Sequence, residues 1–242
     1  MQIKIVFSSE KDIIIPIHYN SLVQAFIYNN IDDELASFLH DRGYQVNNRV
    51  FKLFTFSRIL NRGKKEGRHF NFGNKIQLIV ASPIEEFCKS IANHMLQSDS
   101  LYIGQSDIRV DQIQIIPYQV NREEIVVETL SPIVTYSTLY KADGSRYTLY
   151  FTPDESDFSR IVSENLVRKY NAFYNDDISL DEVIEIVPDG QYKQSITYYK
   201  DFLVKGISGR FILRGDMRLL QMGVDTGFGS KNSQGYGCVK LL

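Results

Sequence analysis

The chain has no tryptophan, only two cysteines and only four histidines among 242 residues. Each shortage excludes something. Cys88 and Cys238 give neither a metal-ligand spacing nor a disulfide framework, so they read as two buried thiols of a reducing, cytoplasmic protein. His18, His40, His69 and His94 stand apart from one another, and no His/Cys/Asp/Glu cluster has ligand spacing, so neither a metal nor another cofactor is expected. Without tryptophan, aromatic packing and stacking fall to 15 Tyr and 15 Phe. No apolar run is long enough to span a membrane. The opening "MQIKIVFSSEKDIII" carries Lys4 and a polar break at Ser8, which reads as a strand and not as a signal peptide.

A large charge of either sign is also missing. The net charge is −2, which argues against a uniformly basic nucleic-acid binder, but the average conceals segments. Arg42, Arg49, Lys52, Arg58, Arg62, Lys64, Lys65, Arg68 and Lys75 face a single acid, Glu66, over residues 42–75. Residues 193–242 hold eight bases against three acids, whereas "NDDISLDEVIEIVPDG" between them holds six acids and no base. Local fields of this kind, not the mean, attract a polyanion.

What is present is alternation and helical spacing. "QIKIVF", "FKLFTFSRI", "KIQLIVAS" and "IRVDQIQIIP" read as strands. Asn20-Ser21 reads as a cap for a helix carrying Leu22, Val23, Phe26 and Ile27, interrupted near Ile31 and resumed at Asp32-Asp33. "PIEEFCKSIANHML" reads as a second helix with Phe87, Ile91 and Leu96 at core spacing. The second half repeats the order. "EEIVVETLSPIVTY" is a strand followed by a local pair across Asp143-Gly144, and "DESDFSRIVSENLVRKYNAF" is a helix. "DEVIEIV", "QSITYYKDFLV" and "GRFILRG" are strands, "DMRLLQMG" is a helix stopped by Gly223, and "GYGCVKLL" is a last strand. The expected class is α+β, with two tandem ferredoxin-like (βαββαβ, RRM-like) domains over 1–118 and 119–242, joined near 117–123.

The closing stretch "GVDTGFGSKNSQGYGCVKLL" looks like a phosphate loop. Dinucleotide and Walker loops need a helix after the glycines, and only five residues follow Gly237, so both readings fail. A connector between a helix and an edge strand, and a loop that brings backbone N–H groups to a phosphate, remain equally open on residues alone. Phe228 and Tyr236 are candidates either to stack on bases or to pack inward.

Glycine–apolar–glycine, five residues, glycine–apolar–glycine near the C-terminus resembles the glycine-rich loop of the CRISPR-associated repeat-processing endoribonucleases. "LVQAFIYNN", "ASFLHDRGYQVNNRVFKLFTFSRIL" and "TLSPIVTY" resemble further parts of that family in the same order, so the likeness spans nearly the whole chain. The resemblance implies CRISPR precursor RNA as substrate. It implies a metal-independent cut in which the 2′-hydroxyl attacks the neighbouring phosphate, leaving a 2′,3′-cyclic phosphate and a 5′-hydroxyl. The family's catalytic histidine falls on His40, as general acid or base, and Tyr28 and Lys52 match the residues some members pair with it.

RNA contacts are expected from Arg58, Arg62, Lys64, Lys65 and Arg68, from Lys205, Arg210 and Arg214, and from Gly227, Gly229, Ser230, Lys231, Asn232, Gly235 and Gly237 of the loop. Further CRISPR-associated subunits and a homodimer are open as partners, and no membrane is expected. A non-catalytic repeat-binding protein and a structural subunit of a ribonucleoprotein are the alternatives.

Overall fold

The computed structural model describes residues 1–179 and 183–242. In chain order the framework is β1 (Gln2–Ser8), α1 (Asn20–Tyr28), α2 (Asp33–Ser37), β2 (Thr55–Phe56), β3 (Lys75–Ala81), α3 (Glu85–Gln97) and β4 (Ser106–Ile116). It continues with β5 (Glu124–Thr129), α4 (Ser156–Tyr174), β6 (Glu185–Pro188), β7 (Arg210–Arg214), α5 (Met217–Thr226) and β8 (Val239–Leu241). The sheet orders are β2-β3-β1-β4, extended by Leu101–Ile103, and β6-β7-β5-β8. All neighbours are antiparallel. The chain is therefore two tandem ferredoxin-like βαββαβ units. Among the described residues no helix is long and apolar enough to cross a membrane.

Alternation in β1 puts Ile3, Ile5 and Phe7 on one face, opposite Leu78 and Val80 of β3 and under Val23 and Phe26 of α1 and Phe87 and Ile91 of α3. Truncating one such phenylalanine costs about 3–5 kcal/mol. The second core repeats the plan with Ile125, Val127, Phe211 and Leu213 under Phe158, Val162 and Leu166 of α4 and Leu219 and Leu220 of α5. The other face of the second sheet is charged and internally paired. Arg214 bridges Glu124 (2.6 Å) and Glu185 (3.1 Å), Arg210 meets Asp189 at 2.8 Å, and Lys240 meets Glu128 at 2.7 Å.

Short hairpins interrupt the framework: Tyr44–Val46 with Arg49–Phe51, Lys64–Glu66 with His69–Asn71, Tyr136–Tyr140 with Arg146–Tyr150, and Lys193–Tyr199 with Phe202–Ser208. Several expectations change here. "FKLFTFSRI" is not one strand, because Leu53 is buried with φ +52 and breaks it before β2. "QSITYYKDFLV" folds back on itself at Lys200, φ +54. Leu96 is exposed, and Cys88 and Met95 take its expected place in the core. Asn20 does not cap α1; Tyr19 occupies that position without a side-chain bond. Gly223 does not end α5, which runs to Thr226. A Cβ at Gly223 would collide with the Phe228 ring, so its glycine serves close packing, and the stop is Gly227 at φ +86. The first two residues of the strand expected over 181–187 lie outside the described residues.

Candidate active site

The Asp32 carboxylate caps α2, accepting from the Glu34 and Leu35 amides at 3.0 and 3.2 Å. The helix then widens into a π-turn over Phe38–Arg42 that carries His40. Gly43 closes the turn at φ +61, its amide bonding the Phe38 carbonyl at 2.7 Å. A Cβ there would stand 2.7 Å from the Phe51 carbonyl, so glycine lets the following hairpin fold back onto the turn. That fold-back delivers Lys52, whose Nζ donates to the His40 carbonyl oxygen at 2.5 Å.

Tyr28, the last residue of α1, meets His40 edge to face at 6.1 Å between ring centres and also meets Phe54 edge to face at 5.7 Å. Three distant segments thus bring Tyr28, His40 and Lys52 together. Sequence reasoning missed the fourth member. Asp41 Oδ1 lies 2.7 Å from His40 Nδ1, which assigns the proton of that nitrogen to the carboxylate contact and leaves Nε2 for chemistry. His40 is 76% exposed at its side chain, so the ring is open to a large substrate.

The surroundings set the charges. The hydrogen bond from His40 is the main reason the Asp41 carboxyl lies below its ordinary range, with smaller help from Ser37 and Lys52. Burial pushes the Tyr28 phenol up to about 12, with Tyr199 adding to it, so it stays protonated at neutral pH and acts as a donor. Burial lowers the Lys52 ammonium, and Asp41 partly offsets this.

Beside this set opens an interdomain cleft of about 630 Å³. Its basic side chains are Arg49, Lys52, Arg160, Arg168, Lys169 and Lys231, and Ser230 to Ser233 of the closing loop form part of its wall. Glu164 pairs with Arg160 and Arg168 at 2.7 and 3.0 Å. Lys169 is 3% exposed and donates to the Gly227 carbonyl at 2.6 Å; burial takes it down to about 7. Asn165 is 6% exposed one turn earlier, and its Oδ1 has no partner among the described residues. The signal for both was available: polar residues on the buried stripe of α4 defined by Phe158, Val162 and Leu166.

The closing loop is folded tightly. Gly227, Gly229, Gly235 and Gly237 all have φ between +73 and +86. Phe228 and Tyr236 both point inward, 0% and 1% exposed. Asn232 Nδ2 donates to the Phe228 and Tyr236 carbonyls at 3.1 and 3.0 Å, and the Phe228 amide bonds the Gly237 carbonyl at 2.9 Å. The loop also docks on the first domain. Asn20 donates to the Gln234 and Gly235 carbonyls (2.8 and 3.2 Å), Gln24 to the Ser233 carbonyl (2.7 Å), and Thr55 to the Tyr236 carbonyl (2.9 Å). Asn20, Gln24 and Tyr28 are spaced i, i+4, i+8, so the stripe of α1 that holds the loop ends at the tyrosine beside His40.

Other expected RNA contacts fall elsewhere. Arg58 donates to Ser195 Oγ at 3.1 Å, and Lys64 pairs with Glu66 at 3.3 Å. Arg62, Lys65 and Arg68 are exposed on or beside the same small hairpin. Lys205 lies on the strand Phe202–Ser208. Arg210 and Arg214 lie in the ion pairs of the second sheet and do not line the cleft. Among the described residues no three His, Cys, Asp or Glu side chains are grouped to hold a metal ion.

Two family models match the chain: CRISPR-associated protein Cas6, N-terminal, over residues 14–114, and CRISPR associated protein Cas6, C-terminal, over residues 114–241. The chain belongs to the Cas6 family. Among similar Cas6 proteins, the CRISPR-associated endoribonuclease Cas6 1 of Methanocaldococcus jannaschii is 28% identical, over 99% of this chain and 92% of its own. The CRISPR-associated endoribonuclease Cas6 of Pyrococcus furiosus is also 28% identical, over 94% of this chain and 83% of its own. A solved CRISPR associated protein Cas6 superposes with a TM-score of 0.80 at 26% identity, covering 100% of this chain and 99% of its own.

Proposed function

We propose that this Cas6 chain is a metal-independent endoribonuclease that cuts CRISPR precursor RNA within its repeats, with residues 1–118 carrying the reacting groups and 119–242 the glycine-rich loop. The observation that carries this reading is the convergence of Tyr28, His40 and Lys52 at an exposed site beside a basic cleft. RNA brings its own nucleophile. His40 Nε2 exchanges the proton, as base toward the 2′-hydroxyl or as acid toward the leaving 5′-oxygen, while Asp41 holds Nδ1 and so orients the ring. Lys52 meets the charge that builds on the phosphate, and the protonated Tyr28 donates a hydrogen bond. The 2′-oxygen forms a bond to phosphorus as the 5′-oxygen leaves and takes a proton, giving a 2′,3′-cyclic phosphate and a 5′-hydroxyl. The cleft cations supply a salt-dependent hold on the backbone.

The test is cleavage of RNA carrying the repeat of the array encoded with this chain, in EDTA. The wild type is expected to cut at one position, and both His40→Ala and a 2′-deoxy nucleotide at that position are expected to stop the reaction. Cutting that needs added metal, or that survives His40→Ala, overturns the mechanism. Tight binding with no cutting by the wild type identifies a repeat-binding protein instead.

A further inference from the structure

A second recess, of about 430 Å³, lies at the opposite end of α1 from Tyr28. Both domains build it. The hairpin Lys193–Tyr199 with Phe202–Ser208 leans onto the first domain, where the Tyr198 amide donates to His18 Nδ1 at 3.3 Å and the two rings meet at 5.1 Å. Arg58 ties the same wall through Ser195 Oγ. The lining mixes three chemistries. Phe70 and Phe72 offer aromatic surface, their ring centres 5.8 Å apart. Arg58 and Lys65 offer positive charge. Asn61 lines the recess too, and its Oδ1 is buried with no partner among the described residues.

Asn61 is only half-buried, and its Oδ1 is the closed-off end of the amide, so what the side chain offers a ligand is its Nδ2–H2 donor. His18, with Nδ1 satisfied by the Tyr198 amide, keeps Nε2–H as a donor in return. A flat group with hydrogen-bond acceptors on its edge, linked to a phosphate, meets these features together, and a nucleobase of single-stranded RNA is such a group.

We propose that this recess captures one unpaired nucleobase of the substrate RNA, with Asn61 reading its edge and Phe70 and Phe72 supplying the apolar surface. The proposal rests on RNA being the substrate. Position follows from α1. Its nine residues span about 13 Å at 1.5 Å per residue, with the recess at His18–Asn20 and the reacting set at Tyr28. The captured base is therefore a few nucleotides from the scissile phosphate. The closing loop connects the two places. Its Gln234 and Gly235 carbonyls bond Asn20, which lines the recess, and Ser230 to Ser233 line the cleft beside Lys52.

The experiment measures binding, by fluorescence anisotropy, of repeat RNAs made uncuttable with a 2′-deoxy nucleotide at the cut. Each RNA also has a single abasic position, moved one nucleotide at a time. The wild type is expected to lose about tenfold in affinity at one position within a few nucleotides of the cut, the scale of one stacked base. Asn61→Ala is expected to weaken the intact RNA about fivefold and to add nothing for the RNA already abasic there. Phe70→Leu, which keeps apolar volume, is expected to behave likewise and serves if Asn61→Ala melts early. An unchanged affinity in both folded variants, or an equal loss for every abasic RNA, overturns the proposal. Binding is read without cutting, so a wild type that discriminates the base but never cleaves defeats the nuclease reading alone. A wild type that cleaves without a position-specific loss defeats the recess alone.

Discussion

Replacing Gly237 by alanine tests why the closing loop is rich in glycine. Gly237 has φ +75, and a Cβ there would fall far inside van der Waals contact with the Phe228 carbonyl oxygen and 2.7 Å from Asn232 Nδ2. Those are the atoms that hold the loop shut, since Asn232 donates to the Phe228 carbonyl and the Phe228 amide bonds the Gly237 carbonyl. The left-handed backbone alone costs an L-residue roughly 1–2 kcal/mol. Overpacking adds about 1–3 kcal/mol, and a buried hydrogen bond forced open adds a further increment of order 1 kcal/mol. Gly237→Ala is thus expected to cost about 3–6 kcal/mol, a large part of a domain's usual stability.

Gly67 supplies the control. It has φ +59 with nothing within 4 Å of an added Cβ, so Gly67→Ala should cost only the backbone part, roughly 1–2 kcal/mol. Urea unfolding of the wild type and the two variants gives the comparison. Equal losses in the two variants would refute the packing argument. A stable Gly237→Ala that had lost RNA binding would mean that the glycine serves the approach of RNA rather than the fold.

Two further expectations follow from the lysines. Lys52→Met should lower the single-turnover cleavage rate about 100-fold, the usual effect of removing one donor to a developing oxyanion, with RNA affinity nearly unchanged; a rate within threefold of wild type removes Lys52 from the reaction. Lys169 is held down near 7 by burial against 10.5 when exposed, so between those values the unfolded chain binds the extra proton and its contribution makes stability rise with pH. Relative to Lys169→Met, the wild type should gain on the order of 2 kcal/mol between pH 7 and 9 in unfolding titrations, and parallel curves for the two proteins would show that Lys169 is charged in the fold.

The framework was legible because a half-buried sheet writes alternation into each strand, as in "QIKIVF", and a packed helix writes its stripe, as in Val23, Phe26 and Ile27. The exceptions have local physical causes. Gly223 reads as a stop signal, yet the helix runs on to Thr226; the glycine is there because the Phe228 ring, five residues on, needs the space of the missing side chain. "QSITYYKDFLV" reads as continuous β, yet Lys200 takes the left-handed turn without the glycine or asparagine that announces one. Asn20 reads as a cap because local chemistry favours it, and its amide is instead spent on carbonyls more than two hundred residues away. Tyr28, His40 and Lys52 came from the resemblance. Nothing in spacing alone pairs them, since their meeting depends on the π-turn and on the fold-back at Gly43. Asp41 was adjacent to His40 in plain view. Its role turns on which way the turn aims the carboxylate, which no periodicity encodes.

The loop and the reacting residues lie at opposite ends of the sequence and in different domains, yet α1 makes them one mechanical unit. Its stripe binds Gln234 and Gly235 through Asn20, binds Ser233 through Gln24, and presents Tyr28 to His40. Those hydrogen bonds end on backbone carbonyls, so they fix where the loop runs whatever side chains it carries. The glycines then have a purpose that does not require them to touch RNA: the loop closes tightly enough to put those carbonyls on α1 because no Cβ stands at those four positions. Under this reading the loop's side chains that line the cleft without tying the loop, Ser230, Lys231 and Ser233, are free to vary with the RNA, while the four glycines and Asn232 answer to the fold.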